Sequence, residues 1–416
     1  MIGSLFAGIS GLNVSSTAMT VIGDNIANVN TTAFKSNKAS FANILSESLG
    51  GASGNSIGRG VQFWGTTPAW SQGSIENTTN ATDMAINGKG FFMLEDASGG
   101  DYYTRAGEFS FDKDGNLVNP DGLYVQGYDI TTVNPDGSVV LGPISTINVP
   151  GESTSPPQPT DILTMDVNLD AGAVATDTYT SSITVYDSLG NAIPLSITFT
   201  KNAAPPNSWT AGVSVPAGTV GNPATDIGIT NATISFNGSG VLNNGVDPSI
   251  TLTNLVSGAA NVTINWDLFD AAGATNGDVT QYAAASTTVF QTQNGFTSGN
   301  LRGVSVDEAG FVTGIYSNGQ RTPLFQVALA DFPSYYGLAK MGNNLYAESR
   351  ASGQAMPGVP QSGSLGGISP SAIEMSNVDL AQEFVKMITT QRAFQANSRV
   401  ITTSDEILQE LINLKR

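Results

Sequence analysis

The chain has 416 residues, with 34 acidic and 16 basic side chains, a formal net charge of −18, and neither cysteine nor histidine. That balance argues against a nucleic-acid partner, which requires clustered Lys and Arg. The missing thiols and imidazoles remove disulfides, thiolate nucleophiles, zinc-type sites and imidazole bases, so that only carboxylate or Ser/Lys chemistry remains open to an enzyme. Only 12% of residues are charged, and the abundance of Gly, Thr, Ser, Asn and Ala suits a β-rich surface protein of two or three domains. No contiguous run reaches eighteen apolar residues, so no membrane insertion is expected. The first basic residue is Lys35, so a basic secretory n-region is missing and any export would use another route.

Residues 1 to about 29 read as an amphipathic helix. Leu5, Ile9, Leu12, Ser16 and Met19 follow a four-three spacing, and Ile22, Ile26 and Val29 continue it with a small shift. The adjacent row, Ser4, Gly8, Gly11, Ser15 and Ala18, is small enough for another helix to approach closely. Gly3, Gly8, Gly11 and Gly23 each cost up to about 1 kcal/mol against Ala in a helix interior, which makes this helix marginal alone. It calls for a partner, either within an ordinary intramolecular bundle or from other chains. Asn and Thr then end the helix, and a polar stretch to about Gly73, including a glycine-rich run at 50–54, reads as irregular or extended.

From Asp83 the pattern changes to short strands and tight turns. Asn87-Gly88 lies between two apolar runs and predicts a hairpin turn. Asx-x-x-Gly recurs at Asp112/Gly115, Asp187/Gly190, Asn237/Gly240 and Asp307/Gly310. The Asx side chain fixes such turns and Gly supplies positive φ, so these are read as turns rather than calcium loops, which would need further ligands and a closing Glu. Residues 145–285 form a distinct block, with strands expected at 181–186, 193–200, 232–236 and 261–269. Between Asp114 and Leu301 its only basic side chain is Lys201. The earlier pattern resumes after about 286.

The last stretch, 377–416, lacks Gly and Pro. Stepping by four and three gives Leu380, Phe384, Met387, Gln391, Phe394, Ser398, Ile401, Asp405, Leu408 and Ile412, an apolar stripe along a helix of roughly 55 Å. Ser376 with Asp379 predicts the cap; Asp379 and Glu383 at one end and Lys415 and Arg416 at the other suit the helix dipole. The layout is nested and mainly β: two β-rich domains lie between N- and C-terminal helices that pair as a coiled coil. The boundaries are 1–30 and 371–416 for the helices, 31–74 and 351–370 for extended links, 75–145 and 286–350 for an inner β-domain, and 146–285 for an inserted outer one.

Three stretches resemble the bacterial flagellar axial family of rod and hook proteins. Asn25-Ile26-Ala27-Asn28-Val29-Asn30-Thr31-Thr32-Ala33-Phe34-Lys35 resembles its N-terminal signature, with Ala33 where many members have Gly. Asn87-Gly88-Lys89-Gly90-Phe91-Phe92 with Tyr103-Thr104-Arg105-Ala106-Gly107-Glu108-Phe109 resembles its β-domain, and Gln391-Arg392-Ala393-Phe394-Gln395-Ala396-Asn397 its C-terminal helix. Asn25, Asn28, Thr31, Phe34, Lys35, Gln391, Arg392, Phe394 and Asn397 carry the family motifs. The length of the middle block favours the hook branch over a distal rod protein. The resemblance implies a non-enzymatic subunit without cofactor, exported by the type III apparatus without a cleaved signal peptide. It would polymerise with itself into a curved tube at the cell surface, a universal joint meeting rod proteins, hook-associated proteins and the hook cap. Leu5, Ile9, Leu12, Met19, Ile26, Leu380, Phe384, Met387, Phe394, Ile401 and Leu408 would then face helices of a polymer, and Leu380, Phe384, Phe394, Ile401 and Leu408 would be largely unstructured in an isolated monomer. Crosslinking through cysteine, known in some members, is not available here. Two other classes stay open from residues alone: a surface adhesin, suggested by aromatics such as Trp209 and Trp266, although Trp266 lies in an alternating strand and reads better as core, and a two-carboxylate glycosidase, for which no residue pair stands out.

Overall fold

The computed structural model describes residues 2–44, 47–48, 56–57, 59–134, 138–270 and 272–413. Three α-helices occur among them: α1 (Ile2–Ala27), the single-turn α2 (Pro223–Asp226) and α3 (Leu380–Asn413). The rest is mainly antiparallel β. The chain divides into two compact units: residues 1–151, 303–314 and 321–416, and residues 152–302 with 315–320. Lys415, Arg416 and the 50–54 run lie outside the described residues.

In the first unit, Tyr124–Val133 runs through the middle of the sheet, pairing with Phe91–Glu95, Val139–Thr146 and Arg321–Val327. Phe91–Glu95 continues to Asp101–Thr104 and Leu329–Asp331. An aromatic cluster closes the face of this sheet. Phe91 meets Phe332, Tyr335 and Tyr346 edge-on at 5.3–5.8 Å, and Trp70 inserts beside it, 5.2 Å from Tyr346. Edge-to-face contacts satisfy the ring quadrupoles and add to the burial of large apolar area.

The second unit packs two sheets face to face. Thr178–Tyr186, Ala192–Lys201, Ser208–Ser214 and Thr233–Ser235 form an antiparallel meander. The other sheet is mixed, with Ile162–Asn168 parallel to Val262–Trp266 and to Val279–Thr280. Alternation sends Ile193, Leu195, Ile197 and Phe199 into the core, with Trp266 fully buried among them. Trp209 is 1% exposed, so neither tryptophan is the surface aromatic that an adhesin reading requires. The inward register ends at Lys201, whose ammonium lies 5.2 Å from the Trp209 ring without a hydrogen-bond partner.

The four Asx-x-x-Gly turns form as expected. Gly115, Gly190, Gly240 and Gly310 all have φ of 77–84°, and each donates its N–H back to the Asx carbonyl. Asp187 shows the mechanism. Its Oδ1 accepts Leu189 N and Asn191 N, and its Oδ2 accepts the Asn191 amide and the Ser257 hydroxyl.

Two expectations, the Asn87-Gly88 turn and the Ser376 cap, are corrected. Asn87-Gly88 is not a hairpin turn: Met84–Asn87 pairs with Gly367–Pro370, far along the chain, and Gly88 (φ +118°) lets the backbone pass beneath it. The stretch expected to be irregular or extended is in part extended, with Asn37–Asn43 paired against Val61–Pro68 and a register shift at Ser40/Phe41. It lies along α1, which supplies order that its composition does not. Helix α3 starts at Leu380, capped by Asp379 rather than by the Ser376 pair: Asp379 Oδ1 accepts the N–H of Ala381 and Gln382. Finally, the helical segment Gly3–Ala27 is long and apolar enough to cross a membrane, with a mean hydropathy of 1.4 in its most apolar window. Its Ser, Asn and Thr residues break every contiguous run, so a run-length criterion passes over it.

Candidate assembly interface

Helices α1 and α3 pack antiparallel. Ser4 faces Ser404, Gly8 and Gly11 face Ile401 and Asn397, and Asn25 reaches Glu383. The start of α1 and the last turns of α3 therefore lie together. The buried positions of α1 are Gly8, Gly11, Ser15, Ala18, Ile22 and Asn25, a strict three-four repeat. The small-residue row is thus the one used inside the chain. A Cβ on Gly8 would stand 3.0 Å from Ile401, and one on Gly11 would stand 2.5 Å from the Asn397 amide. That close approach accounts for Gly8 and Gly11 among the costly glycines of α1, whereas a Cβ on Gly3 or Gly23 would meet nothing within 4 Å.

The row of large apolar residues is left mostly outside. Leu5, Leu12, Met19 and Ile26 are half-buried and Ile9 is exposed. The α3 stripe divides in the same way. Met387, Ile401 and Leu408 turn partly inward, whereas Leu380, Phe384 and, more marginally, Phe394 stay exposed, joined by Ile388, which the four-three stepping missed. Phe6, next to the α1 stripe, is 64% exposed. A cleft of about 540 Å³, lined by Gly3, Phe6, Ile9, Asn13, Ile44 and Arg59, opens beside α1. These are unpaired apolar faces on a helix pair already held by its own small-residue seam.

The signature after α1 builds the base of the pair. Asn25 is buried, its amide donating to Asn37 O (2.8 Å) and to Glu383 Oε2 (3.2 Å) while its carbonyl accepts Asn37 N. One side chain thereby ties α1 to the 37–43 strand and to α3. Lys386, three residues on, pairs with the other Glu383 oxygen at 2.6 Å. Asn28 closes the helix by bonding Asp24 O, and Thr31 donates to the Asn28 carbonyl oxygen. Ala33 adopts φ +57°, a left-handed conformation costing an L-residue about 1–2 kcal/mol, and is buried. That accounts for the resemblance's usual glycine at this position. A polar cleft of about 400 Å³ lies over this turn, lined by Asn28, Thr31, Phe34, Lys35 and Lys340 among others. Of the C-terminal motif, Asn397 fills the Gly11 notch, while Gln391 and Arg392 are exposed.

Sequence reasoning named Lys35 and quoted Arg105 but missed Glu374, the buried carboxylate that joins them. Glu374 is fully buried and binds both Lys35 Nζ (2.5 Å) and Arg105 Nε (3.2 Å). Its Oε1 also accepts Gly73 N, Lys35 donates to Ser71 O, and Arg105 donates to the carbonyls of Gly88 and Gly90. Burial pulls the Lys35 ammonium below its ordinary pKa, against the opposing pull of Glu374. Arg105 sits in a quoted motif; Glu374 could have been found as the only charge between Pro370 and Asp379. Among the described residues no group of three or more carboxylates is placed to hold a metal ion.

Four family descriptions match successive parts of the chain: "Flagella basal body rod protein" (5–35), "Flagellar hook protein FlgE/F/G D1 domain" (85–170), "Flagellar basal body protein FlaE D2 domain" (154–296) and "Flagellar basal body rod FlgEFG protein C-terminal" (369–414). The flagellar hook protein FlgE of Borreliella burgdorferi is 35% identical over 445 residues, covering all of both chains. That of Salmonella typhimurium is 35% identical over 422 residues, covering 98% of each. The crystal structure of Helicobacter pylori flagellar hook protein FlgE2 shares the fold, with a TM-score of 0.53 at 15% identity, covering 72% of this chain and 100% of that one. With full-length identity at this level and a helix pair, N-terminal signature and β-units in matching order, the chain belongs to the flagellar hook protein FlgE family and is a structural subunit of the hook.

Proposed function

We propose that this subunit polymerises with copies of itself through the outer apolar rows of α1 and α3, forming a tube that serves as a universal joint between motor and filament. The observation that carries this is the division of labour on α1. Its small residues satisfy α3 within the chain, which leaves Leu5, Ile9, Leu12, Met19 and Ile26 beside Leu380, Phe384 and Phe394 for neighbouring subunits. Residues 1–30 and 371–416 would form the innermost helical layer, 31–74 and 351–370 the links, 75–145 and 286–350 the inner β-domain, and 146–285 the outer one. Rod and hook-associated proteins, the hook cap and the type III export apparatus would be the partners, and the role is mechanical rather than catalytic. The test is polymerisation of purified full-length protein followed by electron microscopy. The double substitution I9S/F384S should keep the wild-type circular dichroism yet form no tubes at concentrations where wild type does. Tubes from the variant at the wild-type concentration would overturn the assignment of this interface.

A further inference from the structure

The helical end and the β-body of the first unit are joined by two chain connections, residues 69–74 and 371–379. They run side by side, with Ile75–Asn77 paired to Ala372–Glu374. At this neck Glu374 is the meeting point of three groups. Lys35 reaches it from the segment leaving α1, Arg105 from the β-body, and Gly73 N from the neighbouring connection. Its own carbonyl accepts Ala33 N at 2.7 Å, and Arg105 goes on to grip Gly88 and Gly90. Asn377 adds a second tie, accepting Ser36 N and donating to the carbonyls of Ala69 and Ser71. Trp70, on the first connection, is seated in the aromatic cluster of the body.

From this geometry we infer that Glu374 is the positioning residue of the neck: through Lys35 on one side and Arg105 on the other, it locks the terminal helix pair to the β-body so that load passes between them without bending there. The triad is a poor device for stability alone. It buries two cations against one carboxylate, and burying charge carries a desolvation cost that close pairing offsets only in part. What it does supply is direction, because a buried, bidentate-like bridge holds one geometry and an apolar contact slides. A hinge between helices and body would instead show exposed, sparsely bonded backbone.

This inference rests on the self-assembly reading, and the experiment separates the two. Lys35→Met leaves Arg105 and Glu374 as a balanced pair, so the chain should melt close to wild type while losing the helix-side tie. Amides of Ala33 and Gly73 should then exchange at least ten-fold faster, with the amide of Ala211 unchanged. Assembled K35M tubes should show at least a two-fold lower persistence length in electron micrographs. Val125→Ala, a core truncation in the same β-body away from the neck, should form tubes of wild-type stiffness. Glu374→Gln, which strands two buried cations, should raise Gly73 exchange at least a hundred-fold, read on the unassembled chain. K35M tubes as stiff as wild type, V125A tubes softened equally, or unchanged Gly73 exchange in E374Q would each overturn the inference. Failure of the wild-type chain to form tubes would count against the self-assembly reading instead, leaving the exchange measurements to decide the role of Glu374.

Discussion

Replacing Gly11 by Ala sets two calculable effects against each other. Ala is favoured over Gly in a helix interior by about 1 kcal/mol, so the change should strengthen α1 in isolation. In the folded chain, however, the new Cβ would sit 2.5–2.9 Å from three atoms of the Asn397 side chain, closer than unbonded carbon tolerates. Asn397 must turn away or the helices must separate, and overpacking of this kind costs about 1–3 kcal/mol. Gly23 is the internal reference, since a Cβ there meets nothing within 4 Å. G23A should therefore stabilise α1 by the full ~1 kcal/mol, and G11A should fall about 1–3 kcal/mol below it. The assay is amide exchange of α1 in the monomer, because the helix pair can open without the β-units. In the double variant G11A/N397A the clash disappears, and a coupling of about 0.5–3 kcal/mol is expected from the cycle. If G11A stabilised α1 as much as G23A, the notch would not be a close contact and the seam argument would fail.

Other consequences follow from single positions. Gly107→Ala would place a Cβ 1.6 Å from the Met84 carbonyl oxygen, where backbone cannot yield cheaply and the Met84 N to Gly107 O bond would be lost. A loss of roughly 3–5 kcal/mol in urea unfolding is expected, and less than 1 would contradict the packing. Lys201→Met should stabilise the second unit by about 1–3 kcal/mol, because it replaces a buried ammonium lacking a hydrogen-bond partner with an apolar chain of similar length. Burial, then neighbouring Asp101 and Glu348, pushes the Tyr103 hydroxyl up to about 12; burial, helped by the Glu374 carboxylate, raises Tyr346 to about 12 against the pull of Arg105. A raised folded pKa means that their contribution is complete below the unfolded value near 10 and is lost as pH rises through about 12. Ultraviolet titration at 295 nm should show ionisation of these tyrosines coinciding with loss of near-ultraviolet dichroism, rather than a smooth transition at pH 10.

The parts of the fold that sequence made legible are those set by local rules. Asx-x-x-Gly turns are read correctly because both their hydrogen bonds and their positive φ are supplied within four residues. Both helices, and the row of small residues that would sit at a close approach, follow from spacing alone. What escaped depends on pairing across long separations. Asn87-Gly88 carries the composition of a hairpin, yet Met84–Asn87 takes a partner some 280 residues away. The pairing of 37–43 with 61–68 escaped too, because the stretch reads only as irregular or extended and is ordered along α1. Trp209 looked like a surface aromatic because nothing local shows that Ser208–Ser214 is an inner strand. Of the assembly surface, the rows were legible, but which row faces inward was not, because periodicity marks a stripe without saying whether the chain's own helix or a neighbour covers it. Glu374 stands in the sequence as a lone charge, but its pairing was not legible for a related reason: its two cations lie 339 and 269 residues away.

The energetics of the outer rows bear on why assembly should need many neighbours at once. Phe6, Ile9, Leu380, Phe384 and Ile388 are between 40% and 64% exposed. Fully burying such a side chain contributes about 1.5–3 kcal/mol, so covering the exposed half of these five yields on the order of 5 kcal/mol per subunit. Bringing two molecules together costs an estimated 4–15 kcal/mol in translational and rotational freedom. A single contact between two subunits is therefore close to break-even, and the monomer is expected to stay monomeric in dilute solution. A subunit arriving at the end of a tube meets several neighbours while losing that freedom only once, so growth is favourable where dimerisation is not. The same arithmetic explains the placement of residues on α1. Had the large apolar row been turned toward α3, the pair would be tighter in the monomer and the tube would have no seam; with glycine and serine inward, the chain keeps its apolar surface for the lattice.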